Sequence, residues 1–168
     1  MKILLTEEQI ADRISEIGHE ITAAYRGKNL TVVVIMNGAV IFASDLLRKI
    51  EIPLQVDSFA ASSYENDKST GSLKIRSSLK LPVRGRHVLL VDDILDTGVS
   101  LKNAVRYFRE QGAESVRTCV LMDKNIGMKA FAAADWTGFH IPDRYVVGYG
   151  LDSEERYRNL PYVGILTE

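Results

Sequence analysis

Apolar residues recur along this chain with two periods. Ile10, Ile14, Ile17 and Ile21 stand at helical spacing, so this segment is expected to lay one face on a core. Thr6 and Gln9 have the spacing of a capping box, Leu5 and Ile10 that of a hydrophobic staple, and Arg26-Gly27-Lys28-Asn29 ends the helix. Residues 31–36 are β-branched and apolar, which predicts a buried strand. Asn37-Gly38 follows, then a helical pattern over 39–50 with Phe42, Leu46 and Leu47 on one side. Strands are expected at 54–60 and 73–78, with Pro82 and Gly85 breaking the chain after them. Val88-Leu89-Leu90-Val91 is apolar throughout, the pattern of a strand covered on both faces in a parallel sheet; its end is expected at the acids that follow. Leu101, Ala104, Val105 and Phe108 form a helical stripe closed at Gly112. A strand is expected at 114–122, a loop at 136–143 with Pro142 as breaker, and strands at 145–150 and 162–166. Strand and helix alternate with crossovers long enough for parallel pairing. The fold class is therefore α/β: a parallel-centred, twisted sheet with helices on both faces.

Composition narrows this picture. At 168 residues the chain fits one domain, 1–168, with a full core. Apolar content of 46% and charged content of 26% indicate a globular protein. No apolar run is long enough to cross a bilayer, and the first eight residues turn acidic too early for a secretory signal. The single cysteine, Cys119, excludes an internal disulfide framework, reads as a small core residue and fits a reducing cytoplasm. A net charge of −1 supplies no electrostatic reason to bind nucleic acid. His19, His87 and His140 lack partners at metal-ligand spacing and read as structural or exposed; Asp45 with Arg48 and Lys49 reads as solvated.

The chemistry concentrates after Val91. Asp92 and Asp93 are adjacent, Asp96 comes three residues later, and Thr97-Gly98-Val99-Ser100 leads into a helix. Ligands of open parallel sheets bind beyond the carboxyl ends of the strands. Backbone N–H groups and the helix dipole favour a phosphate there. Gly98 permits close approach, Thr97 and Ser100 add hydroxyl donors, and Ser100 can also cap the helix. Asp92 and Asp93 stand beside that phosphate, to accept from sugar hydroxyls or to hold a divalent cation. The loop therefore reads as a site for a phosphorylated sugar with metal close by. Gly38 closes a second strand–turn–helix that either presents amides on the same edge or is a plain turn. The polar stretch 62–71 is either a lid that excludes water or a simple connection. Lys124, at another strand end, is either solvated or a donor to a ligand carbonyl.

Residues 88–100 resemble the phosphoribosyl diphosphate signature of the type I phosphoribosyltransferases. With Ser63-Tyr64, residues 66–71, 141–152 and 158–162, the chain from its first helix to its C-terminus resembles the 6-oxopurine, or hypoxanthine–guanine, branch of that family. The C-terminal segments are the more specific part. The resemblance implies a lid hairpin and a small hood built from terminal segments. It implies a Mg²⁺-dependent salvage transferase that converts hypoxanthine or guanine, with xanthine open, and 5-phosphoribosyl 1-diphosphate to IMP or GMP and pyrophosphate. Position by position, Asp92 and Asp93 would hold the ribose hydroxyls, partly through Mg²⁺, and Asp96 would be the general base near purine N7. Thr97, Gly98, Val99 and Ser100 would bind the 5′-phosphate. Lys124 would donate to the 6-oxygen, Tyr145 would stack on the base, and the Val146 backbone would read its edge. Asp152 would face a second Mg²⁺ beside the purine. Met36, Asn37, Gly38 and Arg158 would contact pyrophosphate, with the Met36–Asn37 peptide cis, and Ser63 and Tyr64 would belong to the lid. The partners implied are small molecules alone, without nucleic acid or membrane, in a cytoplasmic homodimer or homotetramer. Asn37 stands where the family often has Lys or Arg, which removes a side-chain cation from the pyrophosphate loop. Two other readings compete: an RNA-binding regulator on the same fold, disfavoured by the near-neutral charge, and a transferase for another nucleobase, disfavoured by Lys124.

Overall fold

A computed structural model describes residues 1–63, 73–75 and 79–167. Its central sheet holds five parallel strands in the order β3 (Leu54–Phe59), β2 (Leu30–Ile35), β6 (His87–Leu95), β7 (Ser115–Asn125) and β8 (Trp136–Pro142). Alternation along the strands divides the core between two faces. Val32, Val34, Leu89, Val91 and Leu121 meet helices α1 (Glu7–Ala24) and α2 (Val40–Leu47) on one side. Val33, Val88, Leu90 and Val120 meet α3 (Val99–Glu110) on the other. This is the two-sided parallel sheet expected from the apolar runs. The capping box at the start of α1 is formed: the Gln9 N–H donates to Thr6 Oγ1 at 3.2 Å and the Thr6 N–H to Gln9 Oε1 at 2.9 Å.

A second sheet joins the two ends of the chain. β1 (Lys2–Leu5) pairs antiparallel with β10 (Val163–Ile165), which pairs with β9 (Val146–Val147). This is the hood that the resemblance implied. Its first strand has no signal in the hydrophobic pattern, because among β1 residues only Leu5 is buried. β4 (Ala61–Ser63) and β5 (Leu73–Ile75) form an antiparallel pair at the base of the expected lid; Tyr64 and residues 65–71 lie outside the described residues.

Four expectations are corrected. Residues 136–142 are not a loop but the edge strand β8, in register with β7 from Cys119–Trp136 to Asn125–Pro142. The partners that hold it are distant in sequence. Arg13 of α1 donates to the carbonyls of Thr137 and Gly138 at 2.8 and 2.9 Å, and the Arg117 guanidinium stacks 4.1 Å from the Trp136 ring centre. The strand after Val88 does not stop at the acids. β7 runs on beside it, so pairing persists through Asp92–Val120 and Leu95–Asp123. Ser100 is no cap: the N-cap of α3 is Gly98, in the left-handed region at φ 83°, and Ser100 lies in the first turn. Asp45 is not simply solvated. Its carboxylate accepts a short hydrogen bond from the Tyr149 hydroxyl, which ties α2 to the chain that follows β9. Burial and this carboxylate push the Tyr149 phenol far up.

Candidate active site

The carboxyl ends of β2, β6 and β7 bring three loops to one edge of the sheet, where the chain after β9 joins them. The loop after β2 contains the cis peptide Met36–Asn37, as the resemblance implied. Gly38 in that loop is pressed against β6: a Cβ there would lie 2.0 Å from Asp93 Oδ2. It is pressed equally by the chain after β9, where a Cβ on Gly150 would lie 2.2 Å from the Gly38 carbonyl oxygen. The hood is thus seated on the Gly38 loop, and the Gly38 loop on the acid pair.

The acid pair is half-buried and crowded. Burial raises the Asp92 carboxyl well above the ordinary range, and the neighbouring Asp93 charge adds to the rise. Burial raises Asp93 as well, opposed by hydrogen bonds, the Ile94 N–H among them, and by the positive charge of Arg158. Two adjacent carboxylates that resist ionisation are the donor set a hard divalent cation relieves, so the residues fit Mg²⁺. Among the described residues no group of three or more His, Cys, Asp or Glu side chains converges as a complete cage, and Asp152 is not joined to Asp92 and Asp93 in one. A cation held by one or two carboxylates and completed by substrate oxygens is the usual Mg²⁺ arrangement.

Beyond Leu95 the chain leaves the sheet. Asp96, Thr97, Gly98 and Ser100 line a cavity of about 270 Å³ together with Asp92 and Asp93, at the N-terminus of α3. The positive end of that helix faces the cavity, which suits a phosphate. Gly98 has no room for a side chain, since a Cβ would meet Phe131 at 2.7 Å. Val99 is the first residue of the helix.

An adjoining cavity of about 220 Å³ shares Asp93 and Asp96 with the first and adds Lys124, Tyr145, Val146 and Asp152. Lys124 is neither solvated nor alone. Its side chain is 12% exposed, and its Nζ stands 3.2 Å from Asp96 Oδ2 and 3.9 Å from Asp143 Oδ1. Tyr145 is 57% exposed, with its hydroxyl donating to the Asp152 carbonyl at 3.3 Å. The ring is held at one end and bare on its surface. Val146 is buried and paired with Ile165 in the hood. Arg158 donates to the Gly150 carbonyl at 2.7 Å and stands 3.3 Å from Asp152 Oδ1, so it already braces this turn. A larger hollow of about 670 Å³ touches Lys124 on the side of His140 and Pro142, without the acid pair or residues 96–100.

The structure therefore gathers Asp92, Asp93, Asp96, Thr97, Gly98, Ser100, Lys124, Tyr145, Val146 and Asp152 around two joined cavities, with Gly38 and Arg158 behind them. The sequence reading missed Asp123, Lys129 and Phe131, which sit beneath these loops. Lys129 meets Leu95, and Phe131 meets Gly98, across more than 30 positions of chain, and a lone lysine in a loop carries no pattern.

Comparison with known proteins is consistent with this geometry. A model described as phosphoribosyl transferase domain matches residues 1–154. The chain is 42% identical over 166 residues to the hypoxanthine-guanine phosphoribosyltransferase of Bacillus subtilis, covering 98% of this chain and 92% of that protein. It is 44% identical over 166 residues to the bifunctional protein TilS/HprT of Listeria innocua, where it covers 98% of itself but spans only 26% of the relative's length. A crystal structure of a hypoxanthine phosphoribosyltransferase from Staphylococcus aureus superposes with a TM-score of 0.94 at 40% identity, covering 99% of this chain and 91% of that one. With the acid pair and the turn into α3 in place beside the family match, the chain belongs to the phosphoribosyl transferase family.

Proposed function

We propose that this chain transfers the phosphoribosyl group of 5-phosphoribosyl 1-diphosphate to hypoxanthine or guanine, forming IMP or GMP and pyrophosphate. One observation carries the choice of base: an ammonium and a carboxylate 3.2 Å apart, Lys124 and Asp96, between the phosphate loop and the bare ring of Tyr145. A 6-oxopurine presents its O6 and N7 side by side on one edge. Lys124 donates to O6 and Asp96 accepts from N7–H. The adenine amino group would meet Lys124 donor to donor, and a site built on such hydrogen bonds rejects the wrong partner strongly.

The remaining roles are those that the resemblance implies. The N–H groups opening α3, with the Thr97 and Ser100 hydroxyls, hold the 5′-phosphate. Asp92 and Asp93 accept from the ribose hydroxyls and would hold Mg²⁺, with Asp152 facing a second ion; bound there, Mg²⁺ neutralises charge on the leaving pyrophosphate. Met36, Asn37, Gly38 and Arg158 face that pyrophosphate. Tyr145 stacks on the base and the Val146 backbone reads its edge. As the bond from C1′ to pyrophosphate breaks, its electron pair leaves with the pyrophosphate and the purine nitrogen bonds to C1′. Asp96 takes the proton released at N7. Ser63 and Tyr64 serve a lid that shields the sugar from water. Residues 1–168 form a single phosphoribosyltransferase domain, in a cytoplasmic homodimer or homotetramer.

The test is an ultraviolet assay with Mg²⁺, phosphoribosyl diphosphate and, separately, hypoxanthine, guanine, xanthine, adenine and uracil. Nucleotide formation from the 6-oxopurines alone is expected, and the relative rates rank them. Adenine turned over as fast as hypoxanthine would refute the Lys124 assignment; folded protein inert toward every base would refute the activity.

A further inference from the structure

We infer that Lys129 is a positioning residue that sets the separation between Asp96 and Lys124, an inference that rests on the proposed reaction. Leu95 and Asp123 are paired across β6 and β7, one residue before Asp96 and Lys124 respectively. The Lys129 ammonium reaches both. It forms a short ion pair with the Asp123 carboxylate and lies 3.4 Å from the Leu95 carbonyl oxygen, to which it donates. Both side chains of the pair are nearly enclosed, at 9% and 11% exposure. Among the described residues His140 of β8, exposed, also faces Asp123, with Nδ1 3.7 Å from Asp123 Oδ2.

The geometry explains why a tie is needed at this point. Lys124 stays in the ladder, paired with Ile141 of β8. Asp96 does not, because β6 ends at Leu95. The carboxylate expected to take the purine proton therefore hangs from the last residue of a strand. The ammonium anchors Leu95, which precedes Asp96, to Asp123, which precedes Lys124. The next two residues of the same loop hold the phosphate side separately: the Ala130 N–H donates to the Thr97 carbonyl at 2.8 Å, and Phe131 packs under Gly98. Losing the Lys129 ammonium should thus disturb the purine pair and leave the phosphate loop in place.

The experiment compares full-length wild type, Lys129→Met and Lys129→Arg, each corrected for its folded fraction by thermal unfolding. Steady-state kinetics give the hypoxanthine KM and kcat, and calorimetry with Mg²⁺ gives phosphoribosyl diphosphate affinity. Misplacing a reacting group by an ångström costs on the order of 10²-fold. A fall of that order in kcat/KM for hypoxanthine is expected for Lys129→Met, with phosphoribosyl diphosphate affinity unchanged and most of the loss restored in Lys129→Arg. Should the unpaired Asp123 hinder folding, Lys129→Met with Asp123→Asn removes both charges and is expected to show the same selective loss. A Lys129→Met enzyme within about threefold of wild type in kcat/KM, or one that loses both substrates in parallel, overturns the inference. A wild type that makes no nucleotide fells the reaction itself, and the inference with it.

Discussion

Replacing Gly38 by alanine should cost activity far more than stability. A Cβ at residue 38 would lie 2.0 Å from Asp93 Oδ2 and 2.8 Å from its Cγ, whereas real Cβ contacts essentially never fall below 3.0 Å. The carboxylate oxygen must therefore retreat by about 1 Å, the difference between 3.0 and 2.0. It can do so, because it is the free end of a side chain whose other oxygen accepts from the Ile94 N–H. Swinging a side chain about 30° off its rotamer costs on the order of 0.5–1.5 kcal/mol. The melting temperature should fall by only a few degrees, about 2–4 °C per kcal/mol for a chain of this size. The catalytic cost is different in scale. Displacement of a positioned group by an ångström costs on the order of 10²-fold, close to 3 kcal/mol in the barrier. Because Asp93 is expected to serve the sugar and its metal, the loss should fall on phosphoribosyl diphosphate. The assay is paired: thermal unfolding for stability, and kcat/KM for each substrate with Mg²⁺ saturating. Removing the carboxylate as well, in Gly38→Ala with Asp93→Ala, relieves the clash and should recover stability without activity. An alanine enzyme with normal phosphoribosyl diphosphate kinetics would show that the contact between Gly38 and Asp93 has no bearing on the site. A collapse in stability would show that the side chain cannot yield as argued.

Asp96→Asn preserves shape and removes the proton acceptor; turnover should fall by about 10²–10⁴-fold, the usual contribution of general base catalysis, with phosphoribosyl diphosphate binding intact by calorimetry. Unchanged turnover would dismiss Asp96 as the base. Alkaline pH should destabilise the protein: burial holds the Cys119 thiol far above its ordinary 9.0 and the Tyr25 phenol at about 12 against 10.0. Above pH 9 the unfolded chain therefore loses protons that the native state keeps, and stability falls with rising pH by up to about 1.4 kcal/mol per unit for each such group. Thermal unfolding followed upward through pH 9 checks this, and Cys119→Val should flatten the first part of the slope; a flat curve in the wild type would refute it. Thr6→Ala breaks the capping box and should cost about 1 kcal/mol, read as a lower melting temperature with unaltered kcat.

Much of the site was legible because it is local. Asp92, Asp93, Asp96 and the turn into α3 lie within nine residues of one another, so strand, acids, glycine and helix start are one contiguous pattern. The strands β2 and β6 declare themselves because burial on both faces makes residues 32–35 and 88–91 continuously apolar. β8 did not, since its order comes from Arg13 and from the ladder with β7, neither visible in its own seven residues. β1 was hidden for a related reason: a short, mostly exposed strand is made by its partner β10, more than 150 residues away.

By itself the amino-acid order determined the alternation of strand and helix, the two-sided sheet and the place where acids meet a helix N-terminus. These follow from periodicity and from chain geometry, which act over a few residues. Tertiary structure alone decided which distant groups complete the site. It set Lys124 beside Asp96 across 28 positions, seated Gly150 on Gly38, and placed Lys129 beneath the strand ends. Such contacts depend on strand register and on packing at ångström separations, quantities that emerge only when the whole chain has closed on its core.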